Sequence, residues 1–197
     1  MLIKDQIEVP QPLDAVWEFF GDIPQVAACL PGANLTDEVG ENRYAGEVII
    51  QTGPVKLEFD GEAEIRDRDE ETRKIVVDGS GADRKGRGQA SLVLNANLVP
   101  LGGSETRVDV ALDLTISGAA AQYGRGLIAD VTAVLLEDFA ANMHNRLVAI
   151  SQGLDPDSVA TVKPASGFSI GLRAARLALM RVIRRFFMPY QPQPTGR

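Results

Sequence analysis

The chain has 197 residues, of which 45% are hydrophobic and 24% are charged, and these fractions are typical of a globular protein with one well-cored domain and an appendage. Its single cysteine, Cys29, excludes an intramolecular disulfide framework and fits a reducing cytoplasm. The N-terminal stretch MLIKDQIEVPQP has no apolar segment typical of a secretory signal, and no apolar run is long enough to predict a transmembrane helix.

The first 32 residues predict one strand and two short helices. Residues 1–9 alternate weakly and stop at a proline, which suits a first or edge strand. Residues 12–20 place four apolar side chains on one helical face and end at a glycine. A second short helix is predicted for residues 22–30, with Asp22 as its N-cap and Pro24 in its first turn.

Six strand candidates follow, each separated from the next by a short turn signal. Short connections favour antiparallel neighbours, so the segments predict a meander. The last two candidates show the clearest alternation of apolar and polar residues. The predicted strands are Ala33–Val39, Arg43–Gln51, Val55–Arg66, Lys74–Gly79, Gly86–Leu98 and Thr106–Ser117.

One long helix is predicted between Gly118 and Gln152, in a stretch that contains no proline. Its apolar residues recur at the three-and-four spacing of an amphipathic helix with a wide buried stripe. The fold class is therefore α+β, a helix-grip arrangement in which a curved antiparallel sheet of about seven strands wraps around a long C-terminal helix. Such a wrap can leave a hollow between sheet and helix.

Several short motifs carry a resemblance to a known family. They are Val9-Pro10-x-Pro12 with Val16-Trp17, the run Val26-Ala27-Ala28-Cys29-Leu30-Pro31-Gly32-Ala33, Gly53-Pro54-Val55 with Phe59-Asp60-Gly61, and Gly86-x-Gly88-x-Ala90. On these residues, the chain up to about Gln152 resembles the START-like, birch-pollen-allergen-like superfamily called SRPBCC. Within that superfamily it is similar to the family of the carbon monoxide dehydrogenase G subunit.

The resemblance implies an internal apolar cavity between the sheet and the long helix. It also implies a supporting role for a molybdenum-containing carbon monoxide dehydrogenase, or a related molybdenum hydroxylase, with recruitment of that enzyme to the membrane. Strand parity and helix face then predict the cavity lining, although ordinary core packing would explain about half of the same residues. The predicted lining is Trp17, Phe20, Leu30, Phe59, Leu92, Leu94, Leu127, Val131, Leu135 and Phe139.

No residue pattern predicts catalysis. His144 is the only histidine and lies between Asn142 and Asn145 in sequence, so we interpret it as a solvated or capped helix residue rather than a general base. Cys29 has no candidate base partner and is interpreted as a buried thiol or a residue at a cavity mouth. One histidine and one cysteine do not make the usual zinc or haem ligand sets, so neither a metal nor a covalent cofactor is expected.

The C-terminal segment differs from the rest in charge. Residues 1–160 carry 13 basic and 27 acidic residues, a net charge of −14, whereas residues 161–197 carry seven basic residues and no acid. This partition is typical of a domain with a surface-binding tail. Residues 1–152 are therefore expected to form the ligand-binding domain, 153–167 a linker, 168–188 an amphipathic helix and 189–197 a disordered end.

In residues 168–188, apolar and arginine side chains fall on opposite helical sectors. This pattern predicts a helix that lies on an anionic membrane surface. Docking on an acidic partner, or packing back on the domain, are the alternatives. The residues predicted to contact the membrane are Phe168, Leu172, Arg173, Arg176, Leu179, Arg181, Val182, Ile183, Arg184, Arg185 and Phe186.

Together, tail and resemblance predict a non-enzymatic accessory protein on the inner face of the cell membrane. Electrons from carbon monoxide oxidation must reach the respiratory chain, so the expected cargo is a quinone, menaquinone or ubiquinone. Two alternatives remain open. One is a membrane tether or assembly factor without cargo, and the other is a START-like lipid-binding protein or small enzyme. Nucleic-acid binding is not expected, because the basic cluster at Arg84, Lys85 and Arg87 is too short.

Overall fold

A computed structural model describes residues 1–52 and 55–158. Seven strands and three α-helices follow one another in the order expected from the sequence. Two 3₁₀ helices, Gly118–Tyr123 and Pro156–Ser158, flank the last α-helix. In chain order the elements are β1 (Leu2–Val9), α1 (Leu13–Phe19), α2 (Ile23–Cys29), β2 (Ala33–Gly40), β3 (Arg43–Thr52), β4 (Val55–Asp69), β5 (Lys74–Asp83), β6 (Gln89–Gly102), β7 (Glu105–Ile116) and α3 (Gly124–Ser151).

The strands form one curved antiparallel sheet in the order β1-β7-β6-β5-β4-β3-β2. Strands β2 to β7 are a meander, and β1 pairs with β7 along its whole length, from Leu2 opposite Asp113 to Val9 opposite Thr106. The predicted helix-grip architecture is confirmed.

The two short helices begin and end for local reasons. Pro12 precedes α1 with an extended backbone, and proline suits the first turn of a helix because its missing N–H has no partner there. Asp22 caps α2 as predicted, because its carboxylate accepts a hydrogen bond of 3.2 Å from the N–H of Gln25. Leu30, at the end of α2, returns to an extended backbone just before Pro31.

The core lies at one end of the sheet, where α1, α2 and the C-terminal half of α3 cover it. Apolar residues of β1, β5, β6 and β7 supply the opposite side of this core. Its buried members are Ile7, Val9, Val16, Trp17, Phe19, Cys29, Ile75, Ala96, Leu98, Val108, Val110, Met143 and Leu147. The buried residues that α3 contributes to this cluster, Met143 and Leu147, both lie in its C-terminal half.

The buried surface of α3 differs from the apolar stripe predicted for it. Five residues spaced by four are buried along the helix, and only Val134 among them is apolar; the other four are Asp130, Asp138, Asn142 and Arg146. Ile150, which the periodicity placed in the stripe, is 47% exposed. Buried polar groups are tolerated where hydrogen bonds compensate their lost hydration, and the bonds of Asn142 and Arg146 are described below.

The predicted amphipathic helix at 168–188, the end at 189–197 and most of the predicted linker lie outside the described residues. Within residues 1–52 and 55–158, no helix combines the length and the apolar character that crossing a bilayer requires.

Candidate functional site

The inner face of the sheet is identified by its register. Ile75 and Leu98 belong to the core, and side chains two residues apart share a face. On the same face of β6, counted back from Leu98, lie Leu94 and Leu92. Leu92 is directly opposite Leu114 of β7, and Phe59 of β4 is directly opposite Val48 of β3. Apolar side chains therefore continue along the inner face beyond the core.

The degree of burial changes along this inner face. At the core end, Leu98 and Val108 are almost completely buried. At the other end, where β7 finishes and α3 begins, inward-facing apolar residues are only half-buried. They are Phe59, Leu92, Leu114 and Ile116 on the sheet, and Leu127 and Leu135 in the N-terminal half of α3 are also half-buried. The apolar surface between this end of the sheet and the start of α3 is therefore incompletely covered.

A row of glycines crosses the same part of the inner face. Gly46 of β3 lies opposite Gly61 of β4, and Gly61 lies opposite Gly81 of β5. Gly81 in turn faces Ala90 of β6. Directly opposite residues share a face, so four neighbouring strands present almost no side chain along this row. A Cβ atom on Gly61 or Gly46 would collide with a backbone oxygen of the neighbouring strand, so the row lets these strands lie close together.

The ten residues predicted to line a cavity divide between core and inner surface. Trp17 is buried in the core, and Val131 is buried on α3. The rings of Phe20 and Phe139 have centroids 6.3 Å apart, and both residues pack against the core, as does Leu94. The remaining five are half-buried: Leu30, Phe59, Leu92, Leu127 and Leu135.

A polar junction joins α3 to α2 beside the core. The side-chain amide of Asn142 donates a hydrogen bond of 3.0 Å to the carbonyl oxygen of Cys29. Arg146, only 5% exposed, donates to Oε1 of Gln25 and, at 2.9 Å, to a carboxylate oxygen of Asp157. Neither donor of this junction was predicted from the sequence. The available signal was the regular spacing of four residues from Asp138 to Asn142 and from Asn142 to Arg146.

The junction does not create a reactive cysteine. Burial raises the pKa of the Cys29 thiol to about 12, and the nearby positive charge of Arg146 opposes this only partly. The thiolate is the nucleophilic form, so Cys29 is an unreactive thiol at neutral pH. Burial of Cys29 confirms the prediction of a buried thiol. His144 is half-buried rather than solvated, and its Nδ1 has no hydrogen-bond partner among the described residues.

The basic cluster after β5 is engaged within the domain. Nε of Arg84 donates to the carboxylate of Asp60 at 2.8 Å, and its Nη2 pairs with Glu47. Arg87 makes bonds of 2.7 and 2.9 Å to the fully buried carboxylate of Asp83. These ion pairs take up the charges that a basic docking patch would need.

Two open clefts are lined by residues other than the ten predicted for the cavity. The larger, of about 330 Å³, is lined by Gly21, Ile23, Asn42, Tyr44, Ile65, Arg66, Asp67 and Arg68. The smaller, of about 120 Å³, is lined by Arg43, Glu62, Ala63, Glu64, Asp78, Gly79 and Ser80. In the described part of the chain, no group of three or more His, Cys, Asp or Glu side chains could hold a metal ion.

Solved structures with the same fold come from bacteria and plants. A conserved protein from Geobacillus kaustophilus matches with a TM-score of 0.66 and 22% identity, covering 75% of this chain and 95% of that one. A START superfamily protein from Mycobacterium smegmatis matches with a TM-score of 0.53 and 15% identity, covering 76% and 98%. A norcoclaurine synthase point mutant from Thalictrum flavum matches with a TM-score of 0.52 and 13% identity, covering 77% and 96%. At these identities, the matches show a shared fold alone.

Sequence comparison is more specific than the fold. No curated protein matches the chain. The model of the CoxG family, the G subunit of carbon monoxide dehydrogenase, however, matches residues 6–148, which include half of β1, every later strand and nearly all of α3. The chain belongs to this carbon monoxide dehydrogenase G-subunit (CoxG) family.

Proposed function

We propose that this protein is a non-enzymatic accessory protein of an aerobic molybdenum carbon monoxide dehydrogenase. In this proposal it binds an apolar ligand, a respiratory quinone such as menaquinone or ubiquinone, between the sheet and the N-terminal half of α3. It also links the enzyme to the inner face of the cell membrane. Family membership supports the choice of partner enzyme.

The observation that carries ligand binding is the half-buried apolar surface inside the fold. Residues such as Phe59, Leu92 and Leu114 face the helix side of the sheet and yet remain partly accessible. Covering apolar surface contributes about 25 cal/mol for each Å² removed from water, so a ligand there gains the burial that the chain itself leaves incomplete. The row at Gly46, Gly61 and Gly81 adds no side chain to this surface.

A small START-like enzyme is the second candidate, because norcoclaurine synthase shares the fold. Catalysis would need polar groups that converge on the ligand. The inward residues around the half-buried surface are mostly apolar, which suits binding better than chemistry. Asp83, the buried carboxylate directly opposite Phe59, is already bonded to Arg87. The thiol of Cys29, in the core, is held in its neutral form.

The test is to purify the full chain from its native host, extract it with organic solvent and identify isoprenoid quinones by mass spectrometry. Leu92→Trp fills the space on the inner face of β6. Val93→Trp is the matched control, because it adds the same side chain to the opposite face of the same strand. We expect quinone with the wild type and Val93→Trp but not with Leu92→Trp. Equal recovery from all three proteins, or from none, contradicts the proposed cargo site.

The membrane link rests on the sequence of the tail. In the helix predicted from the sequence, five arginines between residues 173 and 185 would lie opposite an apolar sector, and each basic residue near an anionic leaflet contributes about 1 kcal/mol. Arg181, Arg184 and Arg185 are therefore replaced together by glutamate, and co-sedimentation with phosphatidylglycerol vesicles is measured. We expect the variant to stay in the supernatant while the wild type sediments. A protein that only tethers the enzyme would lose sedimentation in this variant but carry no quinone in any form.

A further inference from the structure

The larger cleft lies at a corner of the fold that the proposed cargo site does not include. Its walls are the α1–α2 connection at Gly21 and Ile23, the β2–β3 turn at Asn42 and the end of β4. The N–H of Ile65 donates a bond of 2.9 Å to the carbonyl oxygen of Asn42, which fixes the turn against β4. The cleft is therefore built from ordered elements rather than from a free loop.

A β-bulge in β4 turns an arginine towards this cleft. The pairing of β4 with β5 shifts between Ile65 and Asp67, so Arg68 lies opposite Ile75, a core residue of the inner face. Arg66 lies within the bulge and makes an ion pair of 3.1 Å with Asp78. Bulges commonly re-aim side chains in this way. Without the extra residue, Arg68 would lie on the outer face with Arg66.

The guanidinium group of Arg68 is held in one orientation. It lies 4.4 Å from the ring centroid of Trp17, and its Nη2 donates a bond of 2.9 Å to the carbonyl oxygen of Trp17. A Cβ atom on Gly21 would be only 3.1 Å from the same Nη2, so the glycine gives the group its space. Within residues 1–52 and 55–158, no carboxylate forms an ion pair with Arg68. Nε, Nη1 and the second N–H of Nη2 therefore remain as oriented donors, and adjacent guanidinium N–H groups of this kind bind carboxylate and phosphate oxygens.

The rest of the cleft lining suits a ligand with one charge and an apolar body. Ile23, Tyr44 and Ile65 provide apolar and aromatic contact, and Asn42 adds a side-chain amide. Asp67 also lines the cleft, and its carboxylate limits the total negative charge that the site accepts.

We propose that this cleft binds an amphiphilic oxyanion, a carboxylate or phosphate group carried on an apolar body, with Arg68 as its principal donor. Arg68 binds the oxyanion through Nη2 and one adjacent guanidinium nitrogen, Nε or Nη1, Asn42 donates a further hydrogen bond, and the apolar body covers Ile23 and Ile65. This ligand site is separate from the quinone site of the proposed function and does not depend on it.

Trp17 is the only tryptophan of the chain, and its contact with Arg68 makes its fluorescence a local reporter. The full-length protein is titrated with octanoate below its micelle concentration, with acetate and with octanol, at constant ionic strength. We expect a saturable change in emission with octanoate and none with octanol. Acetate separates the two sources of the oxyanion: weak binding indicates an amphiphile, and binding as tight as octanoate indicates a free small anion at the same Arg68 site.

Three variants locate the site. Arg68→Gln removes the donor, and Asn42→Asp adds a repelling carboxylate while Arg68 and Trp17 stay intact. Residue 42 has a positive φ of 57°, which aspartate tolerates almost as well as asparagine, so Asn42→Asp is expected to fold. Both changes should weaken octanoate binding by roughly tenfold or more, because a charge-assisted hydrogen bond is lost or opposed. Arg43→Gln is the control, because Arg43 is an exposed arginine paired with Glu62 outside this cleft.

Octanoate affinity that is unchanged in Asn42→Asp and Arg68→Gln would overturn the proposal and would indicate binding elsewhere, such as between sheet and α3. Absence of saturable binding to the wild type would overturn it as well. Neither result bears on the recovery of quinone from Leu92→Trp and Val93→Trp.

Discussion

Asn142 and Cys29 lie 113 residues apart in sequence, yet the side-chain amide of Asn142 donates a buried hydrogen bond of 3.0 Å to the carbonyl oxygen of Cys29. The acceptor is the last residue of α2, where backbone carbonyls no longer have partners within the helix. Asn142 thus satisfies the end of α2 and fixes it against α3, one turn before the Arg146 contacts with Gln25 and Asp157.

We expect Asn142→Ala to lower the free energy of unfolding by about 1–3 kcal/mol, because it leaves a buried carbonyl without its donor. Asn145→Ala is the matched control in the same helix, since Asn145 is exposed, and it should change stability by less than about 0.5 kcal/mol. Urea unfolding followed by circular dichroism gives both values. Equal losses would mean that the bond contributes nothing specific.

Cys29 should make the free energy of unfolding depend on pH in the alkaline range. Burial raises its pKa from 9.0 to about 12, so the folded state retains a proton that the unfolded state releases. Stability from the neutral thiol is therefore complete below pH 9 and is lost as the pH rises from 9 towards 12. We expect the stability difference between wild type and Cys29→Ala to shrink between pH 8 and pH 10.5, measured by urea unfolding. A constant difference would show that the thiol titrates equally in both states.

Asp83 should make the stability of the fold depend on pH in the acid range. The hydrogen bonds from the Arg87 side chain, together with backbone N–H groups, hold the pKa of Asp83 far below its ordinary value of 3.8. A carboxylate with a lowered pKa stabilises the fold above that ordinary value, and the contribution is lost as the pH falls below it.

Asp83→Asn should therefore lower the melting temperature at pH 7 clearly more than at pH 2.5. Asp113→Asn is the control, because its carboxylate is 68% exposed and pairs only with the N-terminus. Thermal unfolding of the wild type and both variants at the two pH values gives the melting temperatures to be compared. A penalty for Asp83→Asn that is equally large at pH 2.5 would contradict the expectation.

Two glycines should respond in opposite directions to the same substitution. A Cβ on Gly61 would collide with the carbonyl oxygen of Ser80 and lie 2.9 Å from Cα of Gly81, so Gly61→Ala should destabilise by about 1–3 kcal/mol. Gly126 lies in the first turns of α3 with nothing within 4 Å, so Gly126→Ala should stabilise by up to about 1 kcal/mol. Chemical unfolding tests both. A stable Gly61→Ala would mean that neighbouring strands separate easily.

Much of the fold could be predicted because local signals agreed with one another. Alternation in β6 and β7 and the Asp22 cap each report conformations that a few neighbouring residues decide. The long helix was predicted from Gly118, but residues 118–123 form a 3₁₀ helix and α3 begins at Gly124. Strand limits were less exact. Strand β5 continues to Asp83 rather than stopping at Gly79, because cross-strand partners from β4 and β6 hold the extra residues.

The candidate site was less predictable, because periodicity indicates which residues are buried but not which residues they contact. It predicted no role for Asn142 and Arg146, and both are buried by contacts with α2 and the segment after α3. Likewise, residue type and parity selected Leu92 and Trp17 together, although one is half-buried and the other lies in the core.

The sequence by itself determined the order of the elements, the family and the charge difference between domain and tail, because each depends on residue types at short spacing or on motifs read along the chain. Only the tertiary structure decided which apolar surface stays half-covered, which polar side chains are buried in pairs, and that a bulge turns Arg68 over Trp17. These features depend on contacts between residues up to 121 positions apart, and no local pattern specifies how much of a side chain such a partner covers.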